Sequence, residues 1–203
     1  MMKRIFDMDN PLMQGLSIVA DLLLINVLAL LCSLPLITLG PALTAANAVS
    51  GKLIRNEGSG TTKDFFLAFR ANWKKGGLLG LLLLLAVLLL GFDYLAALAY
   101  APVMRFGIAA LGLLALCLFQ YAFALLSRYE NTLGATLKNA AALAVAYFPR
   151  TLGILVFALA FWLLCVRFFR FGSVILLMFG LSLPIYVKCL LLQPVFQKLE
   201  EQK

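Results

Sequence analysis

The chain has 203 residues, 64% of them hydrophobic and only 13% charged, with a net charge of +8 and no histidine. Soluble domains are roughly 45–50% apolar, so a water-soluble globular fold is excluded, and the length fits a single domain. The missing histidine removes His-based general bases, His metal ligands and histidine pH switching. The positive charge comes without the basic tail or fold motif of a nucleic-acid binder.

At the N-terminus, Lys3 and Arg4 precede an apolar run, and Ala46-Asn47-Ala48 imitates a cleavage site. Asp7, Asp9 and Pro11 interrupt the basic region, and the run is too long for a signal peptide, so a retained first span is expected. A helix needs about 20 apolar residues to cross the hydrocarbon core. On that measure five spans are expected, at roughly 16–36, 78–100, 103–126, 151–169 and 173–192. Short helices are expected near 42–55, 62–73 and 133–146, lying against the cytoplasmic surface. The fold class is therefore an all-α polytopic membrane helical bundle, one integral membrane domain over residues 1–203.

Between the first and second spans, Pro35, Gly40 and Pro41 break the helix, and Thr38 and Thr44 are placed to cap the pieces. Residues 37–54 are mostly Ala, Thr and Gly, which favours a surface helix over the runner-up, a further span or re-entrant hairpin that would turn the N-terminus inward. Gly76 and Gly80 open the second span with a GxxxG spacing that permits close helix packing. A short turn at Ala101-Pro102 joins the second and third spans, and Gly172 divides the fourth from the fifth. Ser33-Leu34-Pro35 and Ser182-Leu183-Pro184 repeat one tripeptide, both expected inside spans. Residues 61–90 echo residues 135–164: an amphipathic start, an aromatic and basic junction, then a long apolar run.

Five spans leave twelve Lys and Arg on one side and five on the other. The positive-inside rule then places the N-terminus outside and the C-terminus in the cytoplasm of a bacterial cell (inner) membrane.

Three groups of side chains are candidates for function. In TTKDFFLAFRANW, residues 61–73, Phe65, Phe66, Phe69 and Trp73 recur at helical spacing, with Lys63, Arg70 and Lys74 on another face. That is the pattern of a helix lying in the membrane interface, or of a surface that docks a partner protein. Asp21 and Asp93 are carboxylates inside spans, where a charge costs at least a few kcal/mol. Both are expected toward the outer leaflet, within reach of Arg105, Arg167 and Arg170. Asn26 and Gln120 are deeper polar groups suited to interhelical hydrogen bonds. Cys32, Cys117, Cys165 and Cys189 show no CxxC or metal-like spacing and suit helix packing.

Nothing in the chain has the GxxxxGK[ST], HExxH or GxSxG pattern, so no enzyme, cofactor or metal site is expected. Asp21 and Asp93 lack the flanking signatures of an aspartate-dyad membrane protease.

Several motifs together resemble the YesL-type family of small bacterial membrane proteins, a domain of unknown function. They are Phe6-Asp7-Met8-Asp9-Asn10-Pro11, Cys32-Ser33-Leu34-Pro35, Thr38-Leu39-Gly40-Pro41-Ala42 and the run from Phe65-Phe66 through Ala68-Phe69-Arg70 to Asn72-Trp73-Lys74. Pro149-Arg150-Thr151 fits as well, and the rest matches as a pattern of spans. The resemblance implies an accessory subunit beside the permease subunits of an ABC-type carbohydrate importer. It also implies that residues 6–11 and the helix at 65–74 are the family's characteristic surfaces; it carries no catalytic residues. Two other readings compete with it: a small transporter or channel acting as a homo-oligomer, and a scaffold that binds membrane lipid through its basic face.

Overall fold

The computed structural model describes residues 11–100 and 103–201. These are almost entirely helical: α1 (Pro11–Ser33), a 3-10 turn (Leu36–Thr38), α2 (Leu39–Ile54), α3 (Thr61–Ala71), α4 (Trp73–Tyr100), α5 (Met104–Leu126), α6 (Leu133–Ala146), α7 (Phe148–Arg167), α8 (Phe169–Phe179) and α9 (Ser182–Glu201). Helices α1, α4, α5 and α7 are each long and apolar enough to cross a membrane. Helices α8 and α9 are long and apolar enough to make a fifth only as a pair, bent by 58° at their break, so the described residues hold four to five such segments. The chain is a multi-pass membrane protein, with large apolar side chains such as Leu85, Leu88, Phe92 and Leu163 turned outward.

Two expected elements differ. The span at 173–192 is not one straight helix; the chain breaks after Phe179 and restarts at Ser182. The helix expected at 42–55 on the inner surface is α2, and it lies at the centre of the bundle against α1, α3, α4, α5 and α9. Its composition explains this. Gly40, Ala42, Thr44, Ala45, Ala46 and Ser50 are all buried, and such small residues let neighbouring backbones approach. The closest approach is to α4: a Cβ on Gly40 would collide with the Gly76 carbonyl, and one on Gly80 would lie 2.5 Å from the Gly40 Cα. The GxxxG start of α4 is thus a helix-packing surface.

The direction of each helix follows from these contacts. Gly76 faces Pro41 and Thr44 while Gly80 faces Gly40 and Leu39, so α4 runs antiparallel to α2. Asp21, near the middle of α1, shares a small cavity with Val49 and Lys52 near the end of α2, so α1 and α2 form an antiparallel hairpin. The start of α1, the start of α4 and the ends of α5 and α9 therefore lie at one end of the bundle. This differs from the expected arrangement, in which five crossings with α2 left at the surface put the start of α1 and the end of α9 at opposite ends. Gly172 packs on the backbone of Cys165, so α8 folds back tightly along α7.

Both Ser-Leu-Pro tripeptides sit at helix breaks, the first at the end of a span and the second within the bent α8–α9 pair. Ser33 ends α1, and Ser182 opens α9. The echo between 61–90 and 135–164 has a structural counterpart: α3 and α4 are separated by Asn72 alone, α6 and α7 by Tyr147 alone.

Replacing Gly80 with leucine should separate α2 from α4 and cost roughly 3 kcal/mol, the upper range for overpacking a tight core. Thermal unfolding in detergent reads it; an unchanged midpoint would show that the Gly40–Gly80 contact is dispensable.

Candidate functional site: a polar hairpin and a basic groove

Three polar features stand out against the apolar bundle. The first lies where α1, α2 and α3 meet. Gly60, at φ 127°, turns the chain into α3, a backbone conformation open to glycine. The Asp64 carboxylate, buried in the first turn of α3, accepts from Lys52 Nζ (2.9 Å), Ser59 N–H (2.8 Å) and Ser59 Oγ (3.0 Å). Burial pushes this carboxyl up, but the Lys52 and Ser59 hydrogen bonds and the Lys52 charge outweigh it and hold the pKa below the usual carboxylate value. Thr61 Oγ1 donates to Asp21 Oδ1 at 2.6 Å. Asp21 thus ties α1 to the basic segment after α2. It does not lie at the opposite end with Arg105 and Arg167, as expected, because α2 brings that segment back along α1.

The second feature is the α8–α9 break. Asn26 on α1 is fully buried there. Its Nδ2 donates to the Leu177 carbonyl at 2.8 Å, and its Oδ1 accepts from the N–H groups of Leu181 (2.8 Å) and Ser182 (3.1 Å). One carboxamide therefore supplies partners to backbone groups freed by the break.

The third is a groove of about 770 Å³ at the end of the bundle where α3 meets α4, lined by Arg70, Asn72, Trp73, Lys74, Lys75 and the stretch from Leu126 to Glu130. Arg70, Lys74 and Lys75 are exposed. Arg128 is held in place by a bidentate pair with Glu200, Nε to Oε1 at 2.9 Å and one terminal nitrogen to Oε2 at 3.0 Å, and lies over the Phe196 ring. The groove is strongly cationic, with Trp73 as an apolar wall.

The aromatics of α3 do not share one lipid-facing stripe. Phe65 is fully buried in a core cluster with α1 and α2, and Phe69 packs against that cluster. Phe66 and Trp73 are the exposed pair, at 49% and 47%. The rings form a ladder, with Phe65 on Phe69 at 6.3 Å and Phe69 edge-on to Trp73 at 5.4 Å. Asp93 is exposed on α4, and Gln120 faces a cavity inside the bundle. Residues 6–10 lie outside the described residues.

Sequence reasoning passed over Lys188, Asn47 and the role of Asp64. Lys188 is 2% exposed and donates to the Gln120 carbonyl at 3.3 Å. A lone lysine inside YVKCLLL is the kind of intramembrane charge that marks a site.

Residues 22–94, from α1 into α4, match the model of a family described as a protein of unknown function, DUF624. The YesL-type proteins fall in that family. The match takes in the second half of α1, all of α2 and α3, and the contact of Gly76 and Gly80 with Gly40. No curated protein and no solved structure matches the chain.

The stabilising effect of a carboxylate held below its normal pKa is complete at neutral pH and disappears as pH falls through the ordinary carboxylate range, about 3.9 and below. Asp64→Asn should therefore lower stability at pH 7 by about 2 kcal/mol and flatten the acid limb of the stability curve. Parallel acid limbs in the two proteins, followed by circular dichroism, would place that transition elsewhere.

Proposed function

We propose that this chain is a non-enzymatic accessory membrane subunit that docks a partner protein at the basic groove beside α3, the partner being a permease subunit of an ABC-type carbohydrate importer. The observation that carries the docking reading is the groove itself. Trp73 and three exposed cations, Arg70, Lys74 and Lys75, border it on one side, and the fixed Arg128–Glu200 pair borders the other. Aromatic and arginine side chains around a pocket are the composition of an interface hot spot. The sugar-importer assignment rests on the family resemblance, and the family match over residues 22–94 supports the family part of it.

A pull-down in mild detergent from native membrane, read by mass spectrometry, tests the assignment. Two permease subunits and an ATPase in fixed ratio are expected. Trp73→Ala with Arg70→Glu and Lys74→Glu should cut their recovery at least tenfold while leaving membrane insertion intact. Recovery of the chain alone, or only as a homo-oligomer, would favour the transporter reading; full recovery by the triple variant would move the contact away from α3.

We further propose that both ends of the chain face the cytoplasm. Of the seventeen Lys and Arg, only Arg105, Arg167 and Arg170 fall on stretches that this arrangement places outside. That is a sharper asymmetry than twelve against five, as the positive-inside rule favours. In a cysteine-free background, Val103→Cys should react with a membrane-impermeant maleimide in intact cells. A cysteine added ahead of Met1, or Asn131→Cys, should react only after permeabilisation. Labelling of the added N-terminal cysteine in intact cells would restore the outside N-terminus.

A further inference from the structure

Inside the bundle, a cavity of about 190 Å³ is bounded by α2, α4, α5, α7 and the α8–α9 break. Its lining is of two kinds: Lys188, Asn47 and Gln120 are polar, and the remainder of the wall is apolar, with Leu83, Phe119, Phe123 and Ile185 among its residues. Lys188 is 98% buried by its 2% exposure, and among the described residues no carboxylate comes within 4.0 Å of its Nζ. Its hydrogen bond to the Gln120 carbonyl, at 3.3 Å, uses one of three donors. Asn47 is already partnered, its Nδ2 donating to the Leu43 carbonyl at 2.7 Å and its Oδ1 accepting from Cys189 Sγ at 3.8 Å. The ammonium therefore faces the cavity with donors to spare and no counter-charge.

The cavity's outer wall includes Leu116 and Trp162, which are 44% exposed each. These belong to α5 and α7, two apolar helices whose outward faces meet lipid, so the mouth opens sideways into the bilayer. A dry apolar cavity of about 150 Å³ accommodates a benzene-sized body. The present one takes a carboxylate and several methylenes, with any longer tail remaining in the lipid through the mouth.

We propose that this cavity binds a single-chain amphiphile with an anionic head, a fatty-acid-like carboxylate, its head on Lys188 and its chain passing Trp162 to the bilayer. A charge-assisted hydrogen bond in a low-dielectric pocket is strong, and the occupant supplies the counter-charge that the protein lacks. A neutral alcohol of equal length gains the apolar contacts without that bond.

Trp162 serves as the reporter. In Trp73→Phe protein, Trp162 is the sole tryptophan of the two in the chain. The protein is placed in phosphatidylcholine nanodiscs and titrated with 11-bromoundecanoate or 11-bromoundecanol, whose bromine quenches nearby indole fluorescence. The carboxylate should quench saturably with at least tenfold higher apparent affinity than the alcohol. Lys188→Met should remove that preference and leave the alcohol unchanged. Equal quenching by acid and alcohol in the parent protein overturns the proposal, whether or not the Met variant folds. So does a preserved tenfold preference in Lys188→Met. Saturable quenching by a brominated anionic phospholipid with none by the carboxylate also overturns it, in favour of a phosphate head group.

Discussion

A backbone amide in hydrocarbon has no water to bond, so a helix that stops inside a bundle must find its partners within the protein. This chain breaks twice, after Ser33, beside the exposed Leu34, Leu36 and Ile37, and after Phe179, where Asn26 is buried. At the first stop, Thr38 Oγ1 lies within hydrogen-bonding reach of the Cys32 and Pro35 carbonyls. At the second, Asn26 serves the Leu177 carbonyl and the Leu181 and Ser182 amides together. With both breaks satisfied, α2 can return along α1 and α9 can leave α8 at an angle. The central position of α2, the basic groove and the internal cavity all follow from those two turns.

Apolar length and period were legible from composition alone, because a span must reach across hydrocarbon whatever its neighbours. The five apolar runs and the short helices at 62–73 and 133–146 have close counterparts in α1, α3 to α7 and the α8–α9 pair. What could not be read was which short helix is central. Residues 37–54 look too polar and small for a span, and the same smallness is what lets α2 pack among five other helices. The sequence carries prolines close to both breaks, Pro35 and Pro184, but does not identify Asn26 as the residue that bridges the second one. That pairing joins positions separated by 151 residues and depends on tertiary proximity.

The candidate site divides in the same way. Arg70, Trp73 and Lys74 were visible as an amphipathic pattern and do border a groove. Phe65 belonged to that pattern too, yet it is buried, because a helix of eleven residues packed on α2 and α1 must give up one aromatic face to the core. Asp21 was visible as an intramembrane charge, but its partner was misjudged. The distance along the chain from Asp21 to Thr61 hides their contact until α2 is known to run backward.

The groove and the cavity are not independent of the two breaks. Gly180, Leu181 and Pro184, from the α8–α9 break, form part of the cavity wall, and Asn26 fixes that wall through Leu177, Leu181 and Ser182. Asn26 lies on α1, the helix that Asp21 ties through Thr61 to the first turn of α3. Helix α1 therefore joins the polar hairpin to the cavity wall: Asp21 and Asn26 hold it by hydrogen bonds, Leu22, Ile25 and Ala29 bury its inner face against the core, and Leu16, Val19 and Leu24 face outward.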